Sequence, residues 1–283
     1  MKRTVFLLVS LFLIISCGVE SGPRTYHMQN AAFPHPERES GFRRDKEYFP
    51  ADLHYRDNSV AVVVPRDYDK ESRADILIHF HGWRNNTDKC IRQFSLAQQV
   101  EASGRNLLLV VPQGPRDAPD SFYGKLCDEG GFQRFIDELL DSLLADKLIP
   151  DRAIGRIMLS GHSGGYYAIG NILRHGAYTE KISDVFLFDG LYALEDDYLN
   201  WLKNYEGRFV HIYTGNGGTF DNSMHFMKVC DSLGIPYVQA NTADIKEMPP
   251  GRILMLYSDL GHNAVISIRR NLRKLLENRE TGL

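Results

Sequence analysis

The chain has 283 residues, which is enough for one large domain with a substantial buried core and too few for two domains of that size. Its 33 lysine and arginine residues nearly balance its 36 aspartate and glutamate residues, and neither sign forms a long run. This charge pattern argues against a nucleic-acid-binding protein.

The N-terminal segment has the layout of a secretory signal peptide, because Lys2 and Arg3 precede an apolar run at residues 5–15. The run is shorter than the ~20 residues that a membrane-spanning helix needs. Residues 14–17, Ile-Ile-Ser-Cys, resemble a bacterial lipobox, in which the signal is cut before a lipid-modified cysteine. We therefore expect a mature chain that begins at Cys17 and is anchored by its lipid in the bacterial cell envelope, facing the periplasm or the exterior. An ordinary signal peptide or a short membrane anchor is the alternative.

The composition predicts three segments. Residues 1–16 are the signal peptide, residues 17–50 are a tether and irregular lead-in without periodicity, and residues 51–283 are the folded domain. Three further cysteines, Cys90, Cys127 and Cys230, lack the spacing of metal ligands. An oxidising compartment would permit one disulfide among them, and the sequence leaves the pair open.

From residue 51 onward, short apolar runs alternate with amphipathic helical patterns. This alternation predicts an α/β fold, with a mostly parallel central sheet of about seven to eight strands and helices on both faces. The strand-like runs are residues 60–64, 76–80, 107–111, 157–160, 185–188, 209–213 and 253–257. Apolar residues between Phe132 and Leu144 recur at helical spacing and predict a core-facing stripe. Residues 234–252 contain three prolines and are predicted to be irregular.

The most informative motif is G-x-S-x-G at residues 161–165, with Ser163 at its centre. It follows a predicted strand and opens a helical stretch at residues 166–173, which is the setting of a nucleophile elbow. Glycines flank the serine because a Cβ beside this strained turn would clash with the neighbouring strand or helix. We therefore predict that Ser163 is a catalytic nucleophile.

The strand at residues 76–80 is followed by His81-Gly82-Trp83, which is typical of a loop that supplies one oxyanion-hole donor. We predict the backbone N–H groups of Trp83 and Gly164 as the two donors, the second lying near a helix N-terminus. His79 and His81 share one face of the strand. Instead of belonging to the oxyanion-hole region, these two histidines could bind a metal or simply pack in the core. No carboxylate is spaced to complete a metal site with them.

A general base is expected after the last strand, and His262 follows the run at residues 253–257. The chain order serine, acid, histidine leaves two candidate acids, Asp189 and Asp221. We favour Asp221, because it follows the penultimate strand and precedes a predicted helix at residues 224–233. Asp189, at the end of the preceding strand, is the alternative.

These parts, in this order, resemble the α/β-hydrolase superfamily over residues 59–280. The segment Val-Pro-Gln-Gly at 111–114 and the Ser163 motif are similar to those of secreted esterases, carboxylesterases and dienelactone hydrolases. Ser163 stands where dienelactone hydrolases have a cysteine, which argues against that specific activity, and the resemblance to esterases implies an ester substrate. The resemblance implies an acyl-serine mechanism, in which Ser163 attacks and His262 moves the proton without a metal or organic cofactor.

The predicted function is therefore that of a serine hydrolase acting on a small-molecule or lipid ester, on the membrane that its lipid anchor binds. A serine peptidase on the same fold is one alternative, and a non-catalytic binding lipoprotein is another. The acyl chain length and the oligomeric state are left open by the sequence.

Overall fold

Eleven β-strands and eight α-helices lie in the residues that the computed structural model describes, 22–73 and 75–278. The strands are β1 (Arg24–His27), β2 (Phe42–Arg44), β3 (Glu47–Phe49), β4 (Ser59–Val63), β5 (Asp75–Phe80), β6 (Leu107–Pro112), β7 (Ile157–His162), β8 (Ile182–Phe188), β9 (Arg208–Thr214), β10 (Val238–Asn241) and β11 (Ile253–Ser258). The helices are α1 (Ala51–His54), α2 (Thr87–Gln93), α3 (Leu96–Ala102), α4 (Gly131–Ala145), α5 (Tyr166–His175), α6 (Glu195–Asn204), α7 (Phe220–Leu233) and α8 (Asn271–Glu277). Within these ranges, none of the helices combines the length and apolar character needed to cross a membrane. The predicted signal peptide and Cys17 lie outside the described residues.

Nine of the strands form one sheet in the order β1-β4-β6-β5-β7-β8-β9-β11-β10. The pairs β1–β4 and β4–β6 are antiparallel, and the remaining pairs are parallel. The predicted mostly parallel sheet is confirmed, with nine strands instead of seven to eight. The two strands that the apolar pattern missed, β1 and β10, are the short edges of the sheet. An edge strand is paired on one side only and needs no continuous apolar run.

Helices cover both faces of the sheet. On one face the core contains residues of α4 to α7, including Phe135, Ile169, Trp201 and Phe226. On the other face it contains residues of α2, α3 and α8, including Ile91, Val100 and Leu272. The predicted stripe on α4 is confirmed from Phe132 to Leu143, and Leu144 at the end of the helix is exposed. Because the parallel strands share one direction, their carboxyl ends meet at one edge of the sheet.

Residues 22–50 are part of the folded domain, so the predicted start of the domain at Ala51 is corrected. Strand β1 pairs with β4, and residues 31–33 are fully buried. The Arg38 guanidinium lies 4.8 Å from the centre of the Phe42 ring and donates to Asp120 at 2.7 Å. These residues pack through loops and a two-stranded hairpin, β2–β3, which explains why no helical or strand periodicity marked them.

The three cysteines in the described residues, Cys90, Cys127 and Cys230, are buried as free thiols. No disulfide joins any two of them in this part of the chain, although the sequence had left one open. Burial raises the pKa of Cys127 to about 12 and that of Cys230 to about 11, so both remain protonated at neutral pH.

Candidate active site

Ser163 occupies a tight turn between strand β7 and helix α5. Strand β7 ends at His162, residues Ser163–Gly165 form a single 3-10 turn, and α5 begins at Tyr166. The backbone of Ser163 has φ = 52°, in the left-handed region that a residue with a Cβ adopts only at some cost in strain. A Cβ added at Gly165 would overlap the carbonyl oxygen of Phe80 on the neighbouring strand. The predicted strand-turn-helix setting of Ser163 is therefore confirmed.

The loop after β5 lies directly against this turn. A Cβ added at Gly82 would lie 2.7 Å from Ser163 Cβ and 3.3 Å from the backbone nitrogen of Gly164. A Cβ added at Gly164 would lie 2.8 Å from Cδ1 of the Trp83 indole. The two backbone segments that carry the N–H groups of Trp83 and Gly164 therefore meet beside Ser163.

His81 fixes the shape of this loop. Its Nδ1 donates to the carbonyl oxygen of Gly82 at 2.9 Å, and its Nε2 accepts from the Gly114 N–H at 3.2 Å. Burial lowers the pKa of His81 to about 4, so the ring is neutral at neutral pH. The Nδ1 atom of His79, two residues earlier and within β5, is 2.9 Å from Ser160 Oγ. Both histidines thus serve as hydrogen-bonding residues, and the described residues contain no group of three or more potential ligands placed to hold a metal ion.

His262 is paired with Asp189. His262 lies in the loop after β11, and its Nδ1 donates to Asp189 Oδ2 at 2.7 Å. Asp189 directly follows β8 and is fully buried. Its carboxylate also accepts hydrogen bonds from the Thr214 N–H at 3.2 Å, the Thr214 hydroxyl at 2.8 Å and the Thr219 hydroxyl. Burial alone would raise the pKa of Asp189, but these hydrogen bonds outweigh it and hold the pKa below its usual range. The carboxylate is therefore ionised and fixed in position at neutral pH.

Asp221, which we favoured as the acid, lies elsewhere, and that preference was wrong. Helix α7 begins at Phe220, four residues earlier than predicted, so Asp221 is an exposed residue in its first turn. A carboxylate there interacts favourably with the N-terminal end of the helix dipole. The loop between β9 and α7 does reach the site, but through the hydroxyl groups of Thr214 and Thr219, which bind the carboxylate supplied by Asp189.

The His262 loop also contacts the residue before the nucleophile. His162 Nε2 donates to the carbonyl oxygen of His262 at 3.0 Å, and the two imidazole rings have centroids 4.7 Å apart. The next residue along the chain after Asp189 touches the turn as well, because a Cβ added at Gly190 would lie 3.1 Å from the carbonyl oxygen of Ser163. The carboxyl ends of β7, β8 and β11 thus bring Ser163, Asp189 and His262 to one edge of the sheet.

The side chain of Ser163 interacts with Tyr192. Burial and the Asp189 carboxylate raise the pKa of Tyr192 to about 12, and a hydrogen bond with the Ser163 side chain acts in the opposite direction. The Tyr192 hydroxyl itself donates to the carbonyl oxygen of Gly217. Among the hydrogen bonds of the described residues, none joins the His262 ring to the Ser163 hydroxyl.

No protein-family model matches the sequence, and no curated protein is significantly similar to it. Solved structures with a similar fold include the fluorophosphonate-binding serine hydrolase F of Staphylococcus aureus, at a TM-score of 0.53 and 12% identity over 80% of this chain and 95% of its own. The S-formylglutathione hydrolase FrmB of the same organism has a TM-score of 0.55 and 12% identity over 91% of this chain and 99% of its own. A ferulic acid esterase has a TM-score of 0.54 and 14% identity over 77% and 90% of the two chains.

This chain has the α/β-hydrolase fold. The fold predicted from the sequence is therefore confirmed. In this α/β-hydrolase fold Ser163 follows β7, the central strand of the nine-stranded sheet. Asp189 follows the adjacent strand β8, and His262 follows β11. The structure thus brings together the predicted Ser163, His262, Trp83 and Gly164 with the alternative acid, while Asp221 stays apart.

Sequence reasoning missed four residues of this α/β-hydrolase site: His162, Tyr192, Thr214 and Thr219. Thr214 and Thr219 flank the glycine-rich loop that separates β9 from α7. Hydroxyl residues at both ends of that loop were a signal that it binds a carboxylate instead of supplying one. His162 stood inside the motif, but its contact with His262 spans 100 residues of sequence and left no local signal. No pattern around Tyr192 indicated its contact with Ser163.

Proposed function

We propose that this protein is a serine hydrolase that cleaves a carboxylic ester through an acyl-serine intermediate. The observation that carries the proposal is the 2.7 Å hydrogen bond between His262 and the buried Asp189, next to a serine on a left-handed turn. A serine hydroxyl is a weak nucleophile until a base removes its proton. A histidine that is oriented by a carboxylate provides that base.

In the proposed first half-reaction, Ser163 Oγ attacks the carbonyl carbon and transfers its proton to His262 Nε2. Asp189 accepts a hydrogen bond from the Nδ1–H group of His262. This hydrogen bond leaves Nε2 free to act as the base, and the carboxylate stabilises the imidazolium that forms. The carbonyl oxygen becomes an oxyanion, which the N–H groups of Trp83 and Gly164 stabilise. His262 then returns the proton to the departing alkoxide, and an alcohol leaves the acyl-serine.

In the second half-reaction, water attacks the acyl-serine while His262 accepts its proton. The bond between the acyl carbon and Ser163 Oγ then breaks, His262 returns the proton to Ser163 Oγ, and the acid is released. For the first step the Ser163 hydroxyl must lie within hydrogen-bond distance of His262 Nε2. Rotation of an accessible side chain between staggered χ1 wells takes picoseconds to nanoseconds, so this contact can form before the attack. Catalytic hydrogen bonds are often long in a free enzyme and shorten when the substrate binds.

The proposed substrate is a small-molecule or lipid ester. The similar solved structures support hydrolase chemistry on this fold, since their names include a serine hydrolase and an esterase. The partly accessible Ser163, at the edge of the sheet, supports attack on a substrate that enters from solvent. Hydrolysis of amides instead of esters would contradict this proposal and indicate a serine peptidase on the same fold.

Labelling with a fluorophosphonate probe tests the nucleophile. We expect the folded protein to be labelled at Ser163 and the Ser163→Ala variant to be unlabelled. A panel of p-nitrophenyl esters, run beside a panel of peptide p-nitroanilides, tests the bond that is cleaved. Labelling at another residue, or no labelling of the folded protein, would contradict the proposed hydrolase and favour a non-catalytic binding protein. Turnover of peptides alone would make it a peptidase.

We also propose that the mature protein is lipid-anchored through Cys17 in the cell envelope, as the segment Ile-Ile-Ser-Cys at residues 14–17 suggests. Two or more acyl chains would hold it stably on a membrane. Replacement of Cys17 by serine should abolish incorporation of radiolabelled palmitate and release the protein from the membrane fraction or block its processing. Unchanged palmitate labelling in Cys17→Ser would contradict the anchor without bearing on catalysis.

A further inference from the structure

The β2–β3 hairpin lies over the loop that contains Trp83. In the hairpin, Arg44 is paired with Glu47 across the two strands. The Glu47 carboxylate accepts a hydrogen bond from Arg84 at 2.6 Å, and Arg84 directly follows Trp83 in the chain. This contact joins the hairpin to the loop beside Ser163.

Side chains on a strand alternate between its two faces, and this alternation turns Arg44 toward the domain. Phe42, two residues earlier, packs against the core on the same side. Arg43, between them, faces the opposite side and lies 4.8 Å from the ring centre of Tyr48. The Arg44 guanidinium carbon lies 3.9 Å from the centre of the Trp83 ring, which is 43% exposed.

Trp83 connects Arg44 to the nucleophile turn. One edge of its indole packs against Gly164, directly after Ser163, and its Nε1–H donates to Ser121 Oγ at 2.7 Å. These contacts hold the indole in one orientation. The charge of Arg44 is therefore separated from the nucleophile turn by a single, fixed aromatic side chain.

The charges around Trp83 do not balance. Arg44 lies on its ring and Arg84 follows it in the chain, and Glu47, the carboxylate opposite Arg44 in the hairpin, is bound to Arg84. Within the described residues Arg44 itself forms no ion pair. Of the other charged residues of the hairpin, Asp45 and Lys46 are exposed at its turn and have opposite charges, and Arg43 lies on the opposite face beside Tyr48. One positive charge thus remains uncompensated beside the site.

We propose that Arg44, stacked on Trp83, forms a subsite for a negatively charged group of the ester, a carboxylate or phosphate in its acyl or alcohol part. The proposal rests on the proposed function, because it concerns the substrate of Ser163. A guanidinium binds carboxylate and phosphate oxygens with two parallel hydrogen bonds, and stacking on an aromatic ring orients it before the ligand arrives. The subsite selects esters whose anionic group reaches past Trp83.

Matched pairs of esters test this subsite. For the acyl side we choose p-nitrophenyl hydrogen adipate and its neutral methyl ester, and for the alcohol side 4-acetoxybenzoate and its methyl ester. The measurement is the ratio of kcat/KM for the anionic member to that for the neutral member. In Arg44→Gln this ratio should fall about three- to fivefold for at least one pair, through KM. Raising the salt concentration should lower the ratio in the wild type and have little effect in the variant.

Arg43→Gln is the matched control, because it removes the same charge from the opposite face of the same hairpin. We expect its ratios to match those of the wild type. Unchanged ratios in Arg44→Gln, or an equal fall of the ratios in Arg43→Gln, would overturn the subsite. Turnover of the neutral esters would in that case still support the proposed function. Failure of every ester to turn over, with no fluorophosphonate labelling, would overturn the proposed function and the subsite with it.

Discussion

The imidazole ring of His162 lies against that of His262, and its Nε2–H donates to the His262 carbonyl oxygen at 3.0 Å. His162 is also the residue before Ser163, so one side chain connects the turn of the proposed nucleophile with the loop of the proposed base. Burial, together with the nearby His262, lowers the pKa of His162 to about 4. The ring therefore stays neutral and does not compete for the proton that His262 takes up.

Replacing His162 by phenylalanine should keep the stacked ring and remove the hydrogen bond to the His262 loop. We expect kcat to fall about tenfold with little change in KM, the effect of one lost buried hydrogen bond on the position of the base. His79→Phe is the control, since His79 is as deeply buried but bonds Ser160 instead. Equal losses of kcat in the two variants, after their unfolding free energies are compared, would mean that His162 only fills space.

Neutralising Asp189 should have the largest effect on turnover of any change to the carboxylates. Asp189→Asn keeps the size of the side chain but removes the charge that fixes the His262 tautomer, and we expect kcat to fall about 10⁴-fold. Asp221→Asn, in the first turn of α7, should leave kcat within about twofold and cost at most about 1 kcal/mol of stability. Steady-state kinetics on one ester substrate distinguish these outcomes, and a mild loss in Asp189→Asn would remove it from the proposed triad.

A methyl group at Gly217, 28 residues after Asp189 in the chain, should displace the Asp189 carboxylate of the proposed triad. A Cβ at this position would overlap Asp189 Oδ2, so Gly217→Ala must displace the carboxylate from His262. A misplacement of about 1 Å costs about a hundredfold in rate, and we expect kcat to fall by that order. In the same loop, a Cβ at Gly215 would come no closer than 3.3 Å to any other group, the hydroxyl of Tyr257. Gly215→Ala should therefore retain most activity, and similar rates for the two variants would argue against a fixed Asp189.

Buried histidines should make the protein sensitive to mild acid. Burial lowers the pKa of His79 to about 3 and those of His81, His162 and His211 to about 4, whereas all four would titrate near 6.5 in the unfolded chain. Between these values the unfolded state binds more protons than the native state. The free energy of unfolding is therefore highest above about pH 6.5 and falls as the pH drops toward 4, by up to about 1.4 kcal/mol per pH unit for each histidine.

Urea unfolding at pH 7 and pH 5 measures this dependence. His211→Gln should reduce the loss of unfolding free energy between the two pH values by about 2 kcal/mol. His225→Gln changes an exposed histidine on α7 and should leave the loss unchanged. The same loss in His211→Gln as in the wild type would show that His211 is not kept neutral by burial.

The residues differ in how far the sequence alone could locate them. Ser163 and His262 were predictable because local features mark them, a glycine-flanked turn after an apolar strand and a histidine after the last strand. The choice between Asp189 and Asp221 was not, because it depended on where α7 begins and on the partner of Thr219, the residue before the helix, whose hydroxyl binds Asp189 instead of capping the helix. The hairpin with Arg44 was hidden because its contacts are with Trp83 and the loops, which no periodic pattern records.

If the proposed lipid anchor is present, the early start of the folded chain limits how far the domain could move from the membrane. If Cys17 carries the anchor, only six residues separate it from Arg24 at the start of β1, and at full extension the seven steps from Cys17 to Arg24 span about 25 Å. An extended tether from Cys17 to residue 51, as the sequence predicted, would have spanned about 120 Å. The domain would thus be confined to a thin layer next to the lipid surface, and esters that concentrate in that layer would reach it first.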